Sequence, residues 1–132
     1  MTSAGVRGVL GNPVEKARQN GYFRQEVETG EHTQVVVMSI PPGGEIGMEV
    51  HEDTDQILIN AEGEGKVILD GQESPFRQND LVFVHAGTWH NFLNTGSADL
   101  KIYTMYSPPH HAPGTVHKTK AEADAAEAAE AH

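Results

Sequence analysis

The sequence contains no cysteine, few basic residues and no long hydrophobic run. Without cysteine the chain cannot form a disulfide, a cysteine zinc site, a thiol nucleophile or a redox dithiol. Nine Lys and Arg against nineteen Asp and Glu give a formal net charge of −10. Because nucleic acids and anionic membrane surfaces are bound by basic patches, we expect neither as a partner.

Membrane-insertion and export signals are also missing from the sequence. No segment approaches the ~18 consecutive apolar residues of a membrane span. The N-terminal region has a single basic residue, Arg7, and no apolar stretch that resembles the core of a secretory signal. We therefore expect a soluble, cytoplasmic protein.

The abundant residues favour short strands joined by turns. The chain has 132 residues, enough for one domain with a hydrophobic core, and it includes fourteen Gly and seven Pro. Short runs of strand composition predict about eight strands, at residues 22–27, 33–40, 46–51, 56–61, 66–69, 81–84, 89–94 and 100–106. Asp70-Gly71 between two short runs predicts a type I′ hairpin turn. This pattern is typical of a β-sandwich or β-barrel.

Three segments are predicted along the chain. Residues 1–30 form an N-terminal arm, with a short helix between the Asn12-Pro13 cap and Asn20-Gly21 and then an edge strand. Residues 31–107 form the barrel. Residues 108–132 combine a Pro- and His-rich loop with an Ala/Glu tail, expected to be flexible because it has no large apolar side chain to dock. The edge strand predicts a homodimer, since an uncovered edge favours pairing with a second chain.

One segment carries polar side chains that can converge. Glu49 and His51 are two residues apart on a predicted strand, so both project to the same face. After a four-residue turn, Gln56 begins the returning strand. Three potential metal ligands can therefore converge from one hairpin. His90 starts another strand, where Phe92 and Asn94 share its face.

The spacing of these residues resembles the two sequence motifs of the cupin family. The first motif is matched, gap by gap, by Gly43, Glu49, His51, Gln56 and Gly63. The second is matched by Asn79, His85, Gly87, His90 and Asn94. Four positions depart from the usual residues of these motifs. Glu49 replaces a histidine, Gln56 replaces a glutamate, Asn79 replaces a glycine and His85 replaces a proline. The resemblance covers residues 33–106 and implies an all-β fold, the cupin jelly-roll β-barrel.

The resemblance also implies a set of metal ligands. In metal-binding cupins the divalent ion is held at the positions occupied here by Glu49, His51, Gln56 and His90. Two imidazoles, a carboxylate and an amide oxygen can coordinate Fe, Mn, Ni or Zn, and two His plus one carboxylate resemble the donor set of non-haem Fe(II) sites. Alternatively, the same four residues are the polar lining of a barrel that has lost its metal.

Structural interpretations are assigned to the other polar and aromatic residues. Solvated turn positions are expected for Glu52, Asp53 and Asp55. Surface positions are predicted for His85, His110, His111 and His117, and the alternative for His85 is a fifth metal ligand. Strand parity predicts an interior position, with Val36 and Met38, for His32 and Gln34. Core packing is expected for Trp89, Phe92 and Tyr103.

Two functions of different classes are compatible with this site. In the first, the chain is a metalloenzyme of the dioxygenase, isomerase or lyase class that acts on a small molecule, with no catalytic residue assigned. In the second, it is a non-catalytic cupin that binds a small ligand. The enzyme is favoured because the sequence contains no DNA-binding or signalling domain, although fold alone does not determine chemistry.

Overall fold

The computed structural model describes residues 6–130 as two helices and nine strands. The helices are α1 (Pro13–Gln19) and α2 (Lys120–Glu130). The strands are β1 (Arg24–Thr29), β2 (Gln34–Ile40), β3 (Asp55–Glu62), β4 (Gly65–Leu69), β5 (Gln72–Phe76), β6 (Leu81–Val84), β7 (His90–Asn94), β8 (Leu100–Ser107) and β9 (Val116–His117). Residues 1–5 of the predicted arm and 131–132 of the predicted tail lie outside the described residues.

The strands form two antiparallel sheets that share one core. The larger sheet has the strand order β6-β3-β8-β2-β1-β9, and the smaller has the order β5-β4-β7. Both sheets contribute to one buried cluster, with Met38 and Leu58 from the larger sheet and Phe92 from the smaller. The rings of Phe76 and Phe92 meet edge to face, with their centroids 5.1 Å apart. This arrangement is the jelly roll that the sequence predicted.

Two local predictions are confirmed by the backbone. The side chain of Asn12 caps α1 and accepts hydrogen bonds from the N–H groups of Val14, at 2.9 Å, and Glu15, at 3.2 Å. Asp70 and Gly71 join β4 to β5 with φ angles of 47° and 83°. Positive φ at both central residues is what a type I′ turn requires, so the hairpin prediction is correct.

The prediction of a regular strand at residues 46–51 is wrong. This segment runs beside β7, but it makes only isolated bridges, which pair Glu45 with Leu93 and Glu49 with His90. Gly47 interrupts the extended conformation with a φ of 107°, and its N–H donates to the side chain of Asn91 at 2.8 Å. The segment therefore positions side chains without forming a continuous ladder.

Strand β5 was missed because its pattern is that of an edge strand. Its first four side chains are exposed, and Phe76 is the buried one. It also contains Pro75, which an edge strand tolerates because the missing N–H costs no central ladder bond.

The C-terminal segment is ordered where a flexible tail was expected. Strand β9 pairs with β1, and helix α2 follows it. Ala123 is only 2% exposed and belongs to the same buried cluster as Phe23 and Tyr106. Although α2 has no large apolar side chain, the small methyl group of Ala123 lets the helix approach closely enough to join this cluster.

Helix α1 packs on the face of the larger sheet opposite the main core. Ala17 forms a second buried cluster there with Val37 and Ala61, and Tyr103 packs against it. Within residues 6–130, neither helix combines the length and apolar composition needed to cross a bilayer.

Candidate metal centre

Glu49 and His90 are held opposite each other by their backbones. The N–H of Glu49 donates to the carbonyl of His90, and the N–H of His90 donates to the carbonyl of Glu49, both at 2.9 Å. His51 lies two residues farther along the same segment, and its carbonyl accepts a hydrogen bond from Gly87 at 2.8 Å. These contacts connect the two predicted motifs and bring three of the four predicted site residues into one group.

The three side chains of this group are closely spaced. Oε1 of Glu49 lies 3.4 Å from Nε2 of His51 and 3.5 Å from Nε2 of His90. The candidate ligand atoms of all three residues lie within 4.8 Å of one another. Donor atoms about 2.1 Å from a single ion, at right-angle to tetrahedral bond angles, are about 3.0–3.4 Å apart. The observed separations are close to that range and exceed the ~2.7–2.9 Å of charge-assisted hydrogen bonds.

Both imidazoles carry a buried nitrogen without a hydrogen-bond partner among the described residues. This nitrogen is Nε2 in His51 and in His90, whose side chains are 8% and 1% exposed. Nδ1 of His90 lies 2.8 Å from the carbonyl of Thr88. Because a carbonyl only accepts, Nδ1 of the neutral ring carries the proton and Nε2 keeps its lone pair. Metal-binding histidines are commonly oriented in this way, so these residues fit a divalent ion.

The electrostatics of the group favour an ionised carboxylate. Burial by itself would raise the pKa of Glu49, but the neighbouring His51 and His90 hold the pKa of this carboxyl well below its usual range. Burial opposes the charged form of His90, yet Glu49 and the Thr88 carbonyl raise the pKa of His90 above its ordinary value. Glu49 is therefore an anion at neutral pH, which is the form that binds a cation.

Gln56, the fourth predicted residue, lies in β3 and is buried. Its Nε2 donates to Oγ1 of Thr104 at 3.0 Å, and that hydroxyl donates to the carbonyl of Ile57 at 2.8 Å. Oε1 of Gln56 is buried and has no hydrogen-bond partner among the described residues. The amide is thus fixed through its nitrogen, which leaves the oxygen as the group that can accept or coordinate.

The Pro- and His-rich loop lies against this group of residues. The ring of His110 is 4.2 Å from that of His51 and 5.8 Å from that of Tyr106, between centroids. His111 meets Tyr106 edge-on at 5.2 Å. The surface prediction is wrong for His111 and His117, which are half-buried, whereas His110 is exposed but contacts the site.

Gln34 fixes the loop in this position. Its Oε1 accepts hydrogen bonds from the N–H groups of His110, at 3.3 Å, and His111, at 3.0 Å. Its Nε2 donates to the carbonyl of His111 at 2.6 Å and to Oγ1 of Thr29 at 2.8 Å. The interior position predicted for Gln34 is confirmed, and its amide is engaged at both ends.

Arg24 and Tyr106 are interior residues that the sequence analysis did not identify as part of a site. Arg24 is 2% exposed and Tyr106 is 1% exposed. The ring of Tyr106 lies 6.2 Å from that of His51, and Nη1 of Arg24 lies 3.2 Å from Nδ1 of His117. Tyr106 continues the alternation of buried Ile102 and Thr104, which is a signal that could have identified it. For Arg24 no comparable signal exists, because a lone arginine in a strand is usually exposed.

Other sequence predictions have mixed outcomes. His32 is exposed and not interior, because it lies in the turn before β2. Trp89 is 53% exposed and not in the core, whereas Phe92 is fully buried as expected. His85 is exposed, as predicted, and its ring contacts Phe83 at 4.7 Å. Asn79 has a φ of 74°, which explains why a glycine is usual at this position of the motif.

A comparison with protein families agrees with the fold and with the motif spacing. The model of the cupin domain matches residues 36–106. The chain belongs to the cupin family. Among solved structures, the crystal structure of BH2720 from Bacillus halodurans is similar to this chain, with a TM-score of 0.88 and 40% identity, covering 95% of this chain and 99% of that one.

Two curated relatives of this cupin are informative. The uncharacterised protein YrkC of Bacillus subtilis is 45% identical over 116 residues, which are 83% of this chain and 62% of that protein. The chain thus spans less than two thirds of this relative. The oxalate-binding protein of Thermotoga maritima is 34% identical over 68 residues, which are 52% of this chain and 56% of that protein.

Proposed function

We propose that this cupin binds one divalent transition-metal ion through Glu49, His51 and His90, with the amide oxygen of Gln56 as a fourth donor, and acts as a metalloenzyme on a small molecule. One observation carries the proposal. Two buried imidazole nitrogens without a hydrogen-bond partner among the described residues each lie about as far from one carboxylate oxygen as two ligands of the same ion would.

The chemistry of the donor set supports the same proposal. Two neutral imidazoles, one carboxylate and one amide leave part of the charge of a dication uncompensated. Such an ion acts as a Lewis acid that polarises a bound carbonyl or hydroxyl oxygen. The set contains no cysteine and is thus unlike most closed structural zinc sites. Beside these residues, Gln34 holds the His110–His111 segment by hydrogen bonds.

Metal analysis of protein purified without a histidine tag and without a nickel column tests the proposal. We expect one divalent ion per chain in the wild type and loss of that ion in His51→Ala. His32→Ala is the matched control, because this exposed histidine lies in the turn before β2 and outside the group. If wild type contains no ion and takes up none from Mn, Fe(II), Ni or Zn in calorimetric titration, or if His51→Ala retains it, the metal proposal fails.

A second candidate is a non-catalytic cupin that holds a small ligand at the same site. The similarity to a protein named for oxalate binding favours this candidate. Turnover separates the two functions. If the metal-loaded protein binds a small molecule that stays chemically unchanged when it is incubated in large excess over the protein, the chain is a binding protein. Any catalysed conversion that is lost in His51→Ala supports the enzyme.

A further inference from the structure

A second polar cluster adjoins the proposed metal centre. It consists of Arg24, Tyr106, His111 and His117, and we call it the arginine cluster. Arg24 and Tyr106 are almost completely buried, and the ring of His111 lies 5.2 Å from Tyr106 and 6.5 Å from His117. Tyr106 connects the two groups, because its ring is also 6.2 Å from that of His51.

Arg24 carries a buried positive charge. Its Nη1 is hydrogen-bonded to Nδ1 of His117 at 3.2 Å, and its guanidinium lies 5.3 Å from the centroid of the Phe23 ring. A guanidinium is always protonated in proteins. Among the described residues, the carboxylate within 4 Å of it is that of Glu127, at 3.9 Å, which is beyond hydrogen-bond distance and on a side chain that is 46% exposed. Nε of Arg24 is buried and has no hydrogen-bond partner in residues 6–130. Because a buried cation is costly unless it is paired and fully hydrogen-bonded, the Nε without a partner favours an additional anion.

The neighbours of Arg24 can supply hydrogen bonds without adding negative charge. Burial raises the pKa of the Tyr106 hydroxyl to about 12, against the opposing effect of the Arg24 charge, so the hydroxyl keeps its proton. Burial and the nearby guanidinium lower the pKa of His111 to about 3, so this ring is neutral at physiological pH. Nε2 of His111 is buried and has no hydrogen-bond partner among the described residues. A fixed cation with polar neutral groups beside it suits an oxyanion.

We propose that Arg24, Tyr106 and His111 form a subsite for the carboxylate of a small organic acid whose second oxygen function reaches the metal centre. The contact between the second oxygen function and the metal rests on the proposed function, whereas the carboxylate subsite is argued from the arginine cluster alone. A planar guanidinium matches a carboxylate in shape and charge. A single buried arginine balances one negative charge, which favours a carboxylate over a phosphate dianion.

The position of His111 in this subsite is built into the fold. Gln34 is fully buried and holds both the N–H of His111, at 3.0 Å, and its carbonyl, at 2.6 Å. Gln34 also lies directly opposite Tyr106 in the pairing of β2 with β8. The backbone of His111 is therefore fixed relative to Tyr106 before a ligand arrives, which reduces the entropy lost on binding.

Calorimetric titration of the full chain with acetate, oxalate, malonate and inorganic phosphate tests the subsite, in the metal-free and the Mn²⁺-loaded protein. We expect at least one dicarboxylate to bind the loaded wild type more tightly than acetate and phosphate do. Arg24→Lys keeps the charge but loses the planar fork, and His111→Phe keeps a ring but loses its nitrogens. Both variants should weaken dicarboxylate binding by at least tenfold and bind Mn²⁺ as the wild type does. His32→Phe is the matched control and should change neither.

The outcomes separate this inference from the proposed function. If the wild type takes up no Mn²⁺, the metal proposal fails, while acetate and malonate binding to the metal-free protein still decides the subsite. Tighter binding of phosphate than of every carboxylate, no carboxylate binding in either state, or unchanged affinity in folded Arg24→Lys and His111→Phe overturns the subsite. Should circular dichroism show that Arg24→Lys does not fold, His111→Phe decides, because His111 lies in a loop outside the hydrophobic core.

Discussion

Two groups of histidines lie side by side in this cupin, and their environments give them different chemistry. His51 and His90 share a carboxylate, Glu49, which lies 3.4 Å and 3.5 Å from their Nε2 atoms. In the arginine cluster, His111 and His117 lie beside a guanidinium, with Nδ1 of His117 3.2 Å from Arg24. The carboxylate raises the pKa of His90, whereas burial and the guanidinium lower the pKa of His111 to about 3.

The comparison indicates that the nearby charge, and not the number of histidines, decides which group suits a metal ion. A cation is attracted by Glu49 and repelled by Arg24. The backbone support also differs. The backbones of Glu49 and His90 bond each other directly, whereas His111 lies in a loop after β8 that the side chain of Gln34, in β2, holds by hydrogen bonds. Mutations should therefore affect the two groups separately.

The largest expected effect comes from the paired variants His90→Ala and His111→Ala. His90→Ala removes one of the two imidazoles beside the half-buried carboxylate of Glu49, so metal affinity should fall by more than about a hundredfold. His111→Ala should leave metal affinity within about twofold, since His111 is not part of the ligand group. Calorimetric titration with Mn²⁺ and Ni²⁺ measures both.

Equal losses of metal affinity in His90→Ala and His111→Ala would contradict the distinction between the two histidine groups, because His111 would then belong to the metal centre. Retention of metal by His90→Ala would instead remove this residue from the ligand set.

The next largest effect is expected at the helix that covers the barrel. Ala123→Glu places a charge in the main core, where Ala123 is 2% exposed, and should destabilise the fold by about 2–4 kcal/mol. Ala125→Glu makes the same change at an exposed position of α2 and should stay within about 0.5 kcal/mol of the wild type. Urea unfolding followed by circular dichroism gives both values.

This pair also tests whether α2 is docked. Equal stability of the two variants would mean that α2 does not cover the core and that a flexible tail is the better description. Because Glu49, His51 and His90 lie outside α2, folded Ala123→Glu should still bind the proposed ion.

The sequence predicted the parts of this molecule that are set by local spacing. Glu49 and His51 are two residues apart, and the turn at Asp70-Gly71 depends on adjacent residues, so both could be inferred without the fold. The arginine cluster could not be inferred in this way. Its members come from β1, from β8 and from the segment after β8, and the pairing of Arg24 with His117 joins residues far apart in the chain. Such contacts exist only once β9 has paired with β1.

A smaller effect is expected when the hydrogen bonds from Gln34 to the loop that carries His110 and His111 are removed. Gln34→Leu deletes hydrogen bonds to both backbone groups of His111 and to His110 and should cost about 1–3 kcal/mol of stability. Gln78→Leu is the control, because Gln78 is exposed in the turn before β6. Hydrogen exchange should show faster exchange of the His110 and His111 amides in Gln34→Leu, while metal binding remains. Unchanged protection of these amides would show that Gln34 does not hold the loop.

The smallest expected effect concerns Gln56, the neutral member of the proposed ligand set. Gln56→Glu adds a second negative charge beside the ion and should tighten metal binding by about tenfold, which is about 1.4 kcal/mol. The gain is limited because the substitution also removes the hydrogen bond from Nε2 to Thr104 at 3.0 Å. Gln56→Ala should weaken binding only about two- to fivefold, since water can replace an amide oxygen.

The test is the rank order of metal affinity among these variants. Competition with a chelator of known affinity measures it for Mn²⁺ and Zn²⁺. Gln56→Glu should bind most tightly, followed by wild type, Gln56→Ala and His90→Ala. A Gln56→Glu variant that folds but binds no tighter than wild type would remove Gln56 from the ligand set. The buried Oε1 of Gln56 in the wild type would then accept a hydrogen bond from the bound small molecule. The metal centre would consist of Glu49, His51 and His90.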